Sequence, residues 1–514
     1  MASLILAHDL GTTGNKATLY DAEGRLVASA FDAYETQHLG QNRVEQDPHD
    51  WWRAVVDSTR RLLTEASARD IACVSFSGQM MGCVAVDGRG EALRPAIIWA
   101  DQRAQAQADL LAERVGPERV YESTGHRLGP SYSIEKIMWV RDQEPEVYAR
   151  ATCFLQAKDY AVMRLTGACA TDYSDASGTN AFDLRARGWS DEILEAAGIE
   201  RALLPEPRPS TAVVGEVLPG PAEACGLRVG TPVVIGGGDG SCAAVGAGSV
   251  AEGTAYNYIG SSSWIALATR EPFLHPEHRT VTFCHLVPDR YMPAGTTQAA
   301  GACYQWFRNM LCQEEMRAAK AEGIDVYDFL NAVAATVPPG CEGLIFLPYL
   351  MGERSPHWNP HARGAFIGLT PNHTKAHLCR AVLEGVALNL RLVLDLFRGH
   401  GGPDTAARYA APPNGMRIDA MRVIGGGAKG ELWRQIMADA YGVPVLAPAH
   451  LEEATSLGAA VAGGVGVGLF RDFSVAEDLA ATAVRHTPRA SYEALLPVFR
   501  LAYEGLVEVF EGLG

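Results

Sequence analysis

At 514 residues the chain is too long for one ordinary hydrophobic core, and its length predicts two domains of roughly 200 to 260 residues. Its 47% apolar and 20% charged residues exclude a disordered or fibrous chain. A formal net charge of -16 argues against a nucleic-acid partner, which needs a basic face, yet leaves room for a phosphate ligand held by backbone N–H groups.

The chain opens with a short apolar run, Leu4–Ala7, then Asp9 and the turn-forming Gly11-Thr12-Thr13-Gly14. A second run, Ala17–Tyr20, meets an Asp-x-x-Gly turn at Asp21–Gly24, and Leu26–Ala30 continues beyond it. That order predicts a strand, a phosphate-sized loop, a strand, a turn and a third strand. His8 reads as a turn residue beside Asp9. A helix is expected after Asp47-Pro48, with Asp47 as N-cap, Pro48 at the first helical position and Trp52, Val55 and Val56 at helical spacing. Another opens near Ser133, with Ile134, Ile137 and Val140 as its apolar stripe.

In the middle, Val233–Ile235 reads as a buried strand running into Gly236-Gly237-Gly238-Asp239-Gly240 and a helix of small residues. Ala255–Ile259, Gly260-Ser261-Ser262-Ser263 and Ile265–Ala268 repeat the opening pattern of strand, Gly/Ser/Thr loop and strand. Two related halves follow, with the boundary near Ser249–Gly253, hence residues 1–249 and 250–514. A third loop, Gly425-Gly426-Gly427-Ala428, follows Met421–Ile424 and precedes a helix through Leu432 and Ile436. Gly399–Pro403 and Pro412–Gly415 read as surface loops, as does the segment holding His357, Trp358 and His361. The uncharged, Gly/Ala-rich stretch Ala454–Phe470 is shorter than the ~20 apolar residues of a membrane span and reads as a helix buried against a sheet. A C-terminal helix from Tyr492 packs through Leu496, Phe499 and Leu506. The eleven cysteines show no C-x-x-C pair and are odd in number, so free buried thiols in a cytoplasmic protein are expected, with neither zinc nor a disulfide framework. The apolar run before Asp9 is too short for a signal peptide.

Three Gly-rich turns and two aspartates carry the chemistry. Glycine lets a backbone approach phosphate closely and point several N–H groups at one anion, and the hydroxyls of Thr12, Thr13, Ser261 and Ser262 add small donors. None of the loops matches G-x-x-x-x-G-K-[ST] or a complete G-x-G-x-x-G unit, so a P-loop or Rossmann site is not expected. Asp9 and Asp239 each end an apolar strand beside such a turn, where a carboxylate can hold Mg²⁺ or take a proton from an attacking hydroxyl. Either aspartate alone would read as a turn cap; both together, beside loops in both halves, favour catalysis.

On these residues the chain resembles the FGGY carbohydrate kinases, and among them the xylulokinases, nearly end to end. The matching stretches include Asp9–Gly14, Glu45–Pro48 with Trp51-Trp52, Ser77–Gly82, Trp99–Arg103, Lys158-Asp159-Tyr160, Asp172–Gly178 and Gly238-Asp239. Ser131–Gln143, with Lys136 and Trp139, and Gly364–Glu384 fit the two family signatures, and Gly425–Ala428 and Glu453–Gly458 fit as well. The resemblance implies an α/β fold of two actin-like (ribonuclease H-like) domains closing over a cleft. It implies ATP and Mg²⁺, a cytoplasmic enzyme with no nucleic-acid or membrane partner, and a homodimer. Asp239 would be the general base and, with Asp9, would hold Mg²⁺. Gly11, Thr12, Thr13, Gly14 and Lys16 would face the phosphates from one domain, and Gly260, Ser261 and Ser262 from the other. Gly301, Gly426, Gly427, Ala428 and Glu431 would border the nucleotide. Gln79, Met80, Met81, Trp99, Asp101, Arg103, Asp239 and Gly240 would form the sugar side.

Three positions depart from the xylulokinase pattern. Met81 stands where that pattern has His, Gly240 where it has Asn, and Ala100 where it often has Asn. Loss of hydrogen-bonding groups relaxes discrimination among sugars. D-Xylulose is therefore the first expectation, with another ketose, a tetrulose or a polyol as rivals; glycerol is disfavoured because Ser77–Gly82 lacks an Arg-Glu pair. An actin- or chaperone-like nucleotide switch and a non-catalytic sugar-binding regulator stand as alternatives of other classes.

Overall fold

A computed structural model of the chain describes residues 3–40, 42–399 and 415–513. Its frame is two sheets. The first contains β1 (Leu4–Leu10), β2 (Gly14–Tyr20), β3 (Leu26–Ala33), β4 (Ile71–Gly78), β5 (Val213–Glu216) and β6 (Pro232–Gly238), in the spatial order β5-β6-β4-β1-β2-β3. The strands β1, β4 and β6 run parallel, while β2, β3 and β5 are antiparallel to their neighbours. The second sheet contains β7 (Ala255–Ile259), β8 (Ser263–Leu267), β9 (Val281–Cys284), β10 (Tyr291–Thr297), β11 (Met421–Ile424), β12 (Val445–Pro448) and β13 (Thr482–His486). Its order is β9-β10-β8-β7-β11-β12-β13, with β7, β11 and β12 parallel. Apart from β9 the two sheets share one plan, so the strand–turn–strand repeat in the sequence is the trace of a whole duplicated sheet.

The parallel strands are buried on both faces, as their continuous apolar runs require. The expected Leu4–Ala7 run extends to Leu10, which puts His8 and Asp9 inside a strand. His8 is therefore no turn residue: it is fully buried, stacked on Phe76 at 5.1 Å, and its ring lies 3.1 Å from Asn15 Nδ2 and 3.3 Å from Thr59 Oγ1. The helix after Asp47 is α1 (Pro48–Leu62); the Asp47 carboxylate accepts the His49 N–H at 2.9 Å, and Trp51, Val55 and Leu62 join the core beneath β2 and β3. The second expected helix is α2 (Ser133–Gln143), and α3 (Ala157–Thr166) covers the same side of the first sheet as α1.

Two small-residue helices join the halves by exchange. The helix α4 (Asp239–Gly246) leaves the first sheet, yet its Ala243 and Ala244 pack with Tyr256, Ala266 and Ile424 of the second. On the far face of the second sheet lie α5 (Gly301–Leu311), α6 (Lys375–Arg398) and α7 (Glu431–Tyr441). The helix α8 (Ala454–Gly466) leaves the second sheet, yet Leu457 and Val461 pack with Ile5, Cys73 and Val234 of the first. The helices α4 and α8 touch backbone to backbone. A Cβ on Gly246 would stand 1.7 Å from the Ala454 carbonyl oxygen, and one on Gly458 would stand 1.9 Å from that of Cys242. The Gly/Ala-rich stretch expected to pack on a sheet thus does so, ending at Gly466, on the sheet of the other half.

Several expectations need correction. Cys153 pairs with Cys169, 16 residues on and beyond α3, as a disulfide; the other nine cysteines are free and buried. The C-terminal helix is two, α9 (Leu496–Glu504) and α10 (Val507–Gly512), with Leu496, Phe499 and Phe510 buried. His357 lies in the expected loop but packs inward from it: it is half-buried, stacked on Tyr503 at 3.6 Å and 3.1 Å from the Tyr349 hydroxyl. The loops expected at Gly399–Pro403 and Pro412–Gly415 lie largely outside the described residues. Among the described residues no helix is long and apolar enough to cross a membrane.

Candidate active site

The site forms where the parallel strands of each sheet end, the usual place for a ligand in open α/β sheets. On the first sheet, strand register places Asp9 opposite Lys16 of β2 and Ser77 of β4. The Ser77 hydroxyl donates to Asp9 Oδ1 at 2.9 Å. The turn between β1 and β2 is closed by the Gly11 N–H on the Gly14 carbonyl at 3.0 Å and leaves Thr13 exposed. Three distant motifs gather round this turn. The Trp99 indole N–H donates to Thr12 Oγ1 at 3.0 Å, and Gln46 Nε2 donates to the Thr12 carbonyl at 2.6 Å. Gln46 Oε1 in turn accepts from the Trp51 indole at 3.0 Å and from Gln79 Nε2 at 2.7 Å. Lys16 reaches the other half: its Nζ donates to the Glu452 carbonyl at 3.1 Å and lies 3.6 Å from Glu453 Oε1.

Asp239 is the first residue of α4, and its Oδ1 accepts the Gly240 N–H at 2.7 Å. Burial pushes its carboxyl up to about 7, and the charge of Asp9 adds to the shift. Burial raises Asp9 to about 6 against the pull of Ser77 and Lys16. The Tyr258 hydroxyl, on β7 of the second sheet, is pushed up to about 12 by burial and then by Asp9 and Asp239. Asp9 and Asp239 thus both lie within electrostatic reach of Tyr258 on the second sheet. The Tyr256 hydroxyl donates to the Gly240 carbonyl at 2.6 Å, which ties the first turn of α4 to that sheet. Two carboxyls whose charge burial disfavours are a fitting donor pair for Mg²⁺, a hard cation that takes oxygen ligands. Among the described residues no third His, Cys, Asp or Glu joins them to make a self-sufficient metal cluster.

The second sheet brings its loops to one patch. The Gly260 N–H donates to the Ser262 carbonyl at 3.0 Å, closing the β7–β8 turn, and the start of α5 is bonded onto it. The Gly301 N–H donates to the Gly260 carbonyl at 3.0 Å, and the Ala300 and Ala302 N–H groups donate to the Ser261 carbonyl at 2.8 and 3.0 Å. A Cβ on Gly301 would stand 2.4 Å from the Gly260 oxygen. The loop after β11 lies alongside: Gly425 has a positive φ of 89°, and a Cβ on Gly427 would stand 2.4 Å from Ile259 Cγ2. Gly426 faces open space, Ala428 is buried, and Glu431 is the exposed first residue of α7. All the residues expected to border a nucleotide on this half are therefore neighbours.

On the sugar side the placement is less uniform. Gln79 and Trp99 sit at the first turn, as described. Met80 is buried, and its thioether lies where a Cβ on Gly238 would meet it at 2.6 Å, so it fills space beneath the Asp239 corner. Met81 has φ 64°, donates its N–H to Gln156 Oε1 at 2.5 Å, and its carbonyl accepts from Lys136 Nζ at 2.7 Å. Asp101 and Arg103 are spent on each other. Arg103 Nη2 reaches Asp101 Oδ2 at 2.7 Å and its Nη1 reaches Glu45 Oε1 at 2.7 Å, while Asp101 Oδ2 also accepts the Val44 N–H at 2.6 Å. The guanidinium stacks over Trp139 at 4.9 Å. A planar fork that finds two carboxylates locks into a scaffold.

Sequence reasoning missed Arg354. It belongs to the second half, yet its guanidinium lies over Trp99 of the first at 5.9 Å from the ring centroid. Burial holds it below the ordinary guanidinium range, and among the described residues no carboxylate forms an ion pair with it. The adjacent Glu353 is committed to Thr297, Asn389 and the Gln298 N–H, each at 2.7 Å. Nothing in the spacing of Gly352-Glu353-Arg354 marks that reach.

Residues 4–246 match the N-terminal domain of the FGGY family of carbohydrate kinases, and residues 255–467 match its C-terminal domain. The chain is 33% identical over 505 residues to a gluconokinase of Bacillus subtilis (strain 168), covering 97% of this chain and 95% of that one. It is 36% identical over 435 residues to a xylulose kinase of Escherichia coli (strain K12), covering 84% of each. The solved structure of a ligand-bound xylulose kinase from Lactobacillus acidophilus superposes with a TM-score of 0.88 at 27% identity and covers 100% of both chains.

Proposed function

Because the chain belongs to the FGGY family of carbohydrate kinases, we propose that it transfers the γ-phosphate of ATP to one hydroxyl of a small sugar, with D-xylulose as the acceptor. The observation that carries this reading is the place of Asp239: it opens α4 at the end of β6, the Tyr256 hydroxyl of the second sheet bonds the Gly240 carbonyl beside it, and burial together with Asp9 raises its carboxyl to about 7. Such a group takes the proton of an attacking hydroxyl at neutral pH. Phosphoryl transfer otherwise asks for placement and for neutralised phosphate oxygens. The backbone N–H groups of Gly11–Gly14 and Gly260–Ser262 serve that need, and Lys16 adds a positive charge beside the first turn. Asp9 and Asp239 would hold Mg²⁺, which when bound supplies further positive charge to the phosphates. Glu431 and the Gly426–Ala428 loop border the nucleotide.

A second acceptor class, a sugar acid such as gluconate, is favoured by one observation. Arg354 brings a half-buried positive charge, with no ion-paired carboxylate among the described residues, over Trp99, where a carboxylate would match it and a neutral ketose would not. The gluconokinase relative is consistent with that reading.

The test is ADP release with MgATP against ketuloses, tetruloses, polyols and aldonates, using the wild type, Asp239→Asn and Arg354→Met. The expected result is turnover with D-xylulose that falls by about 10²–10⁴-fold in Asp239→Asn. Turnover confined to an aldonate and lost by about tenfold or more in Arg354→Met would replace the ketose with the sugar acid. Slow ATP hydrolysis that no sugar stimulates and Asp239→Asn leaves unchanged would overturn the kinase assignment of Asp239 and favour a nucleotide switch.

A further inference from the structure

Two motifs found in the sequence, Lys158-Asp159-Tyr160 and Asp172–Gly178, take no part in the transfer just described, yet they converge on one point behind it. Lys158 Nζ lies 2.5 Å from Asp159 Oδ1, 3.0 Å from Asp172 Oδ1 and 3.3 Å from Asp175 Oδ2, and each of the four side chains is at most 1% exposed. Three carboxyls share one ammonium here. Burial, helped by the like charges of Asp159 and Asp172, drives Asp175 well above the ordinary carboxylate range, and the three carboxyls hold Lys158 charged against its own burial. A buried ionic cluster is a weak source of stability, since hydrophobic replacements often serve as well.

Two hydrogen-bond chains lead from the cluster to the cleft. Asp172 Oδ2 accepts both the N–H of Ser174, at 2.7 Å, and its hydroxyl, at 2.5 Å. Ser174 Oγ accepts the N–H of Gly238, the residue before Asp239, at 2.9 Å. On the other side, Gln156 Nε2 donates to the Asp175 carbonyl at 2.7 Å, and Gln156 Oε1 accepts the Met81 N–H at 2.5 Å. Gly78, which pairs with Gly238 across β4 and β6, is pressed on Lys158: a Cβ there would stand 3.0 Å from Lys158 Cβ. The cluster therefore sits directly under the strand ends that carry Asp239 and the Gln79–Gly82 turn.

We propose that the Lys158–Asp159–Asp172–Asp175 cluster is a positioning device: through Ser174 it fixes the Gly238–Asp239 corner, and through Gln156 it fixes the Met81 turn, so that base and acceptor loop share one rigid frame. This inference rests on Asp239 being the base. Ser174 is the residue that isolates it, because among the described residues its hydroxyl is the hydrogen-bonded link between the Asp172 carboxylate and the Gly238 N–H. In Ser174→Ala, kcat with the sugar that the wild type uses falls by about tenfold or more, as a small misplacement of the base predicts. KM for ATP stays within about twofold, since the Gly260–Ser262 and Gly426–Ala428 loops belong to the other sheet and the Gly11–Gly14 turn is held by Trp99 and Gln46 rather than by Ser174. Asp172→Asn keeps an oxygen for the Ser174 hydroxyl, and its loss is smaller.

Hydrogen exchange of the segment 236–242 reads the same link without activity; it quickens in Ser174→Ala while exchange across 48–62 does not. A Ser174→Ala protein with wild-type kcat per folded molecule overturns the inference, even if its melting temperature is lower. Unchanged exchange over 236–242 overturns it independently. A wild type that shows no sugar-dependent ADP release sinks the base assignment, and with it the catalytic half of this proposal. An active wild type matched by an equally active variant sinks the positioning role alone.

Discussion

At the scale of single residues, the chemistry of Asp239 follows from where β6 ends. An exposed aspartate titrates near 4, whereas burial and the neighbouring Asp9 push this one up to about 7. The folded chain therefore binds the proton more tightly than the unfolded chain. Its contribution to stability is fully present below about pH 4 and is lost as pH rises through about 7. Replacing Asp239 by Asn removes that titration. In metal-free buffer at pH 8 the variant is expected to melt about 2–4 °C above the wild type, the gain shrinking as pH falls toward 4. Paired thermal melts at pH 5 and pH 8 check this, and equal gains at both pH values would mean that the group is already ionised without cost. Asp101 and Arg103 teach the opposite lesson. Their charges read as sugar ligands in sequence, but the fork of Arg103 closes on Asp101 and Glu45 first.

At the scale of elements, the patch proposed for the nucleotide holds two glycines whose substitutions are expected to act differently. A Cβ on Gly301 meets the Gly260 oxygen at 2.4 Å, so Gly301→Ala must push α5 off the β7–β8 turn. Gly426 has no neighbour within 4 Å of a built Cβ and no positive φ, so Gly426→Ala leaves the fold intact. Gly301→Ala is expected to lower the melting temperature by about 2–4 °C and raise KM for ATP about tenfold. Gly426→Ala is expected to leave the melting temperature unchanged and to alter KM for ATP only because a bound nucleotide occupies the space its methyl enters. Thermal melts with nucleotide titrations separate the two. A Gly426→Ala protein with wild-type ATP affinity would remove that loop from the nucleotide site. The turns themselves were legible from Gly, Ser and Thr at strand ends, because turn chemistry is local. The stapling of Gly301 onto Gly260 was not, since 41 residues' separation is bridged only when α5 packs.

At the scale of the whole molecule, the exchanged helices α4 and α8 decide how the halves depend on each other. The helix α8 covers Ile5, Cys73 and Val234 of the first sheet although it follows the last parallel strand of the second. A fragment of residues 1–249 lacks α8 and would expose that apolar face, so it is expected to aggregate or unfold when expressed alone. The full chain is expected to unfold in one calorimetric transition, because both sheets share the α4–α8 contact. Two resolved transitions, or a soluble and cooperatively folding 1–249 fragment, would show that the sequence boundary is also an energetic one.

Much of the frame was present in local pattern: the strand–turn–strand repeat, the Asp47-Pro48 helix start, the small-residue helix after Asp239 and the buried stretch from Ala454. These features depend on neighbours in the chain, through apolar periodicity, capping and glycine turns, and a sequence records neighbours directly. The sequence also placed Asp9 and Asp239 at strand ends beside phosphate-sized turns, on which the proposed chemistry rests. Tertiary structure alone decided which sheet α8 would cover, that His8 and His357 would be packed aromatic partners, and that Cys153 would meet Cys169. It also decided that Arg354 would cross to Trp99 and that Lys158 would gather three carboxyls behind Gly238 and Asp239. Each of these joins groups that have no periodic relation in sequence, and their energies come from burial and charge at short range, which exist only once the sheets have closed on each other.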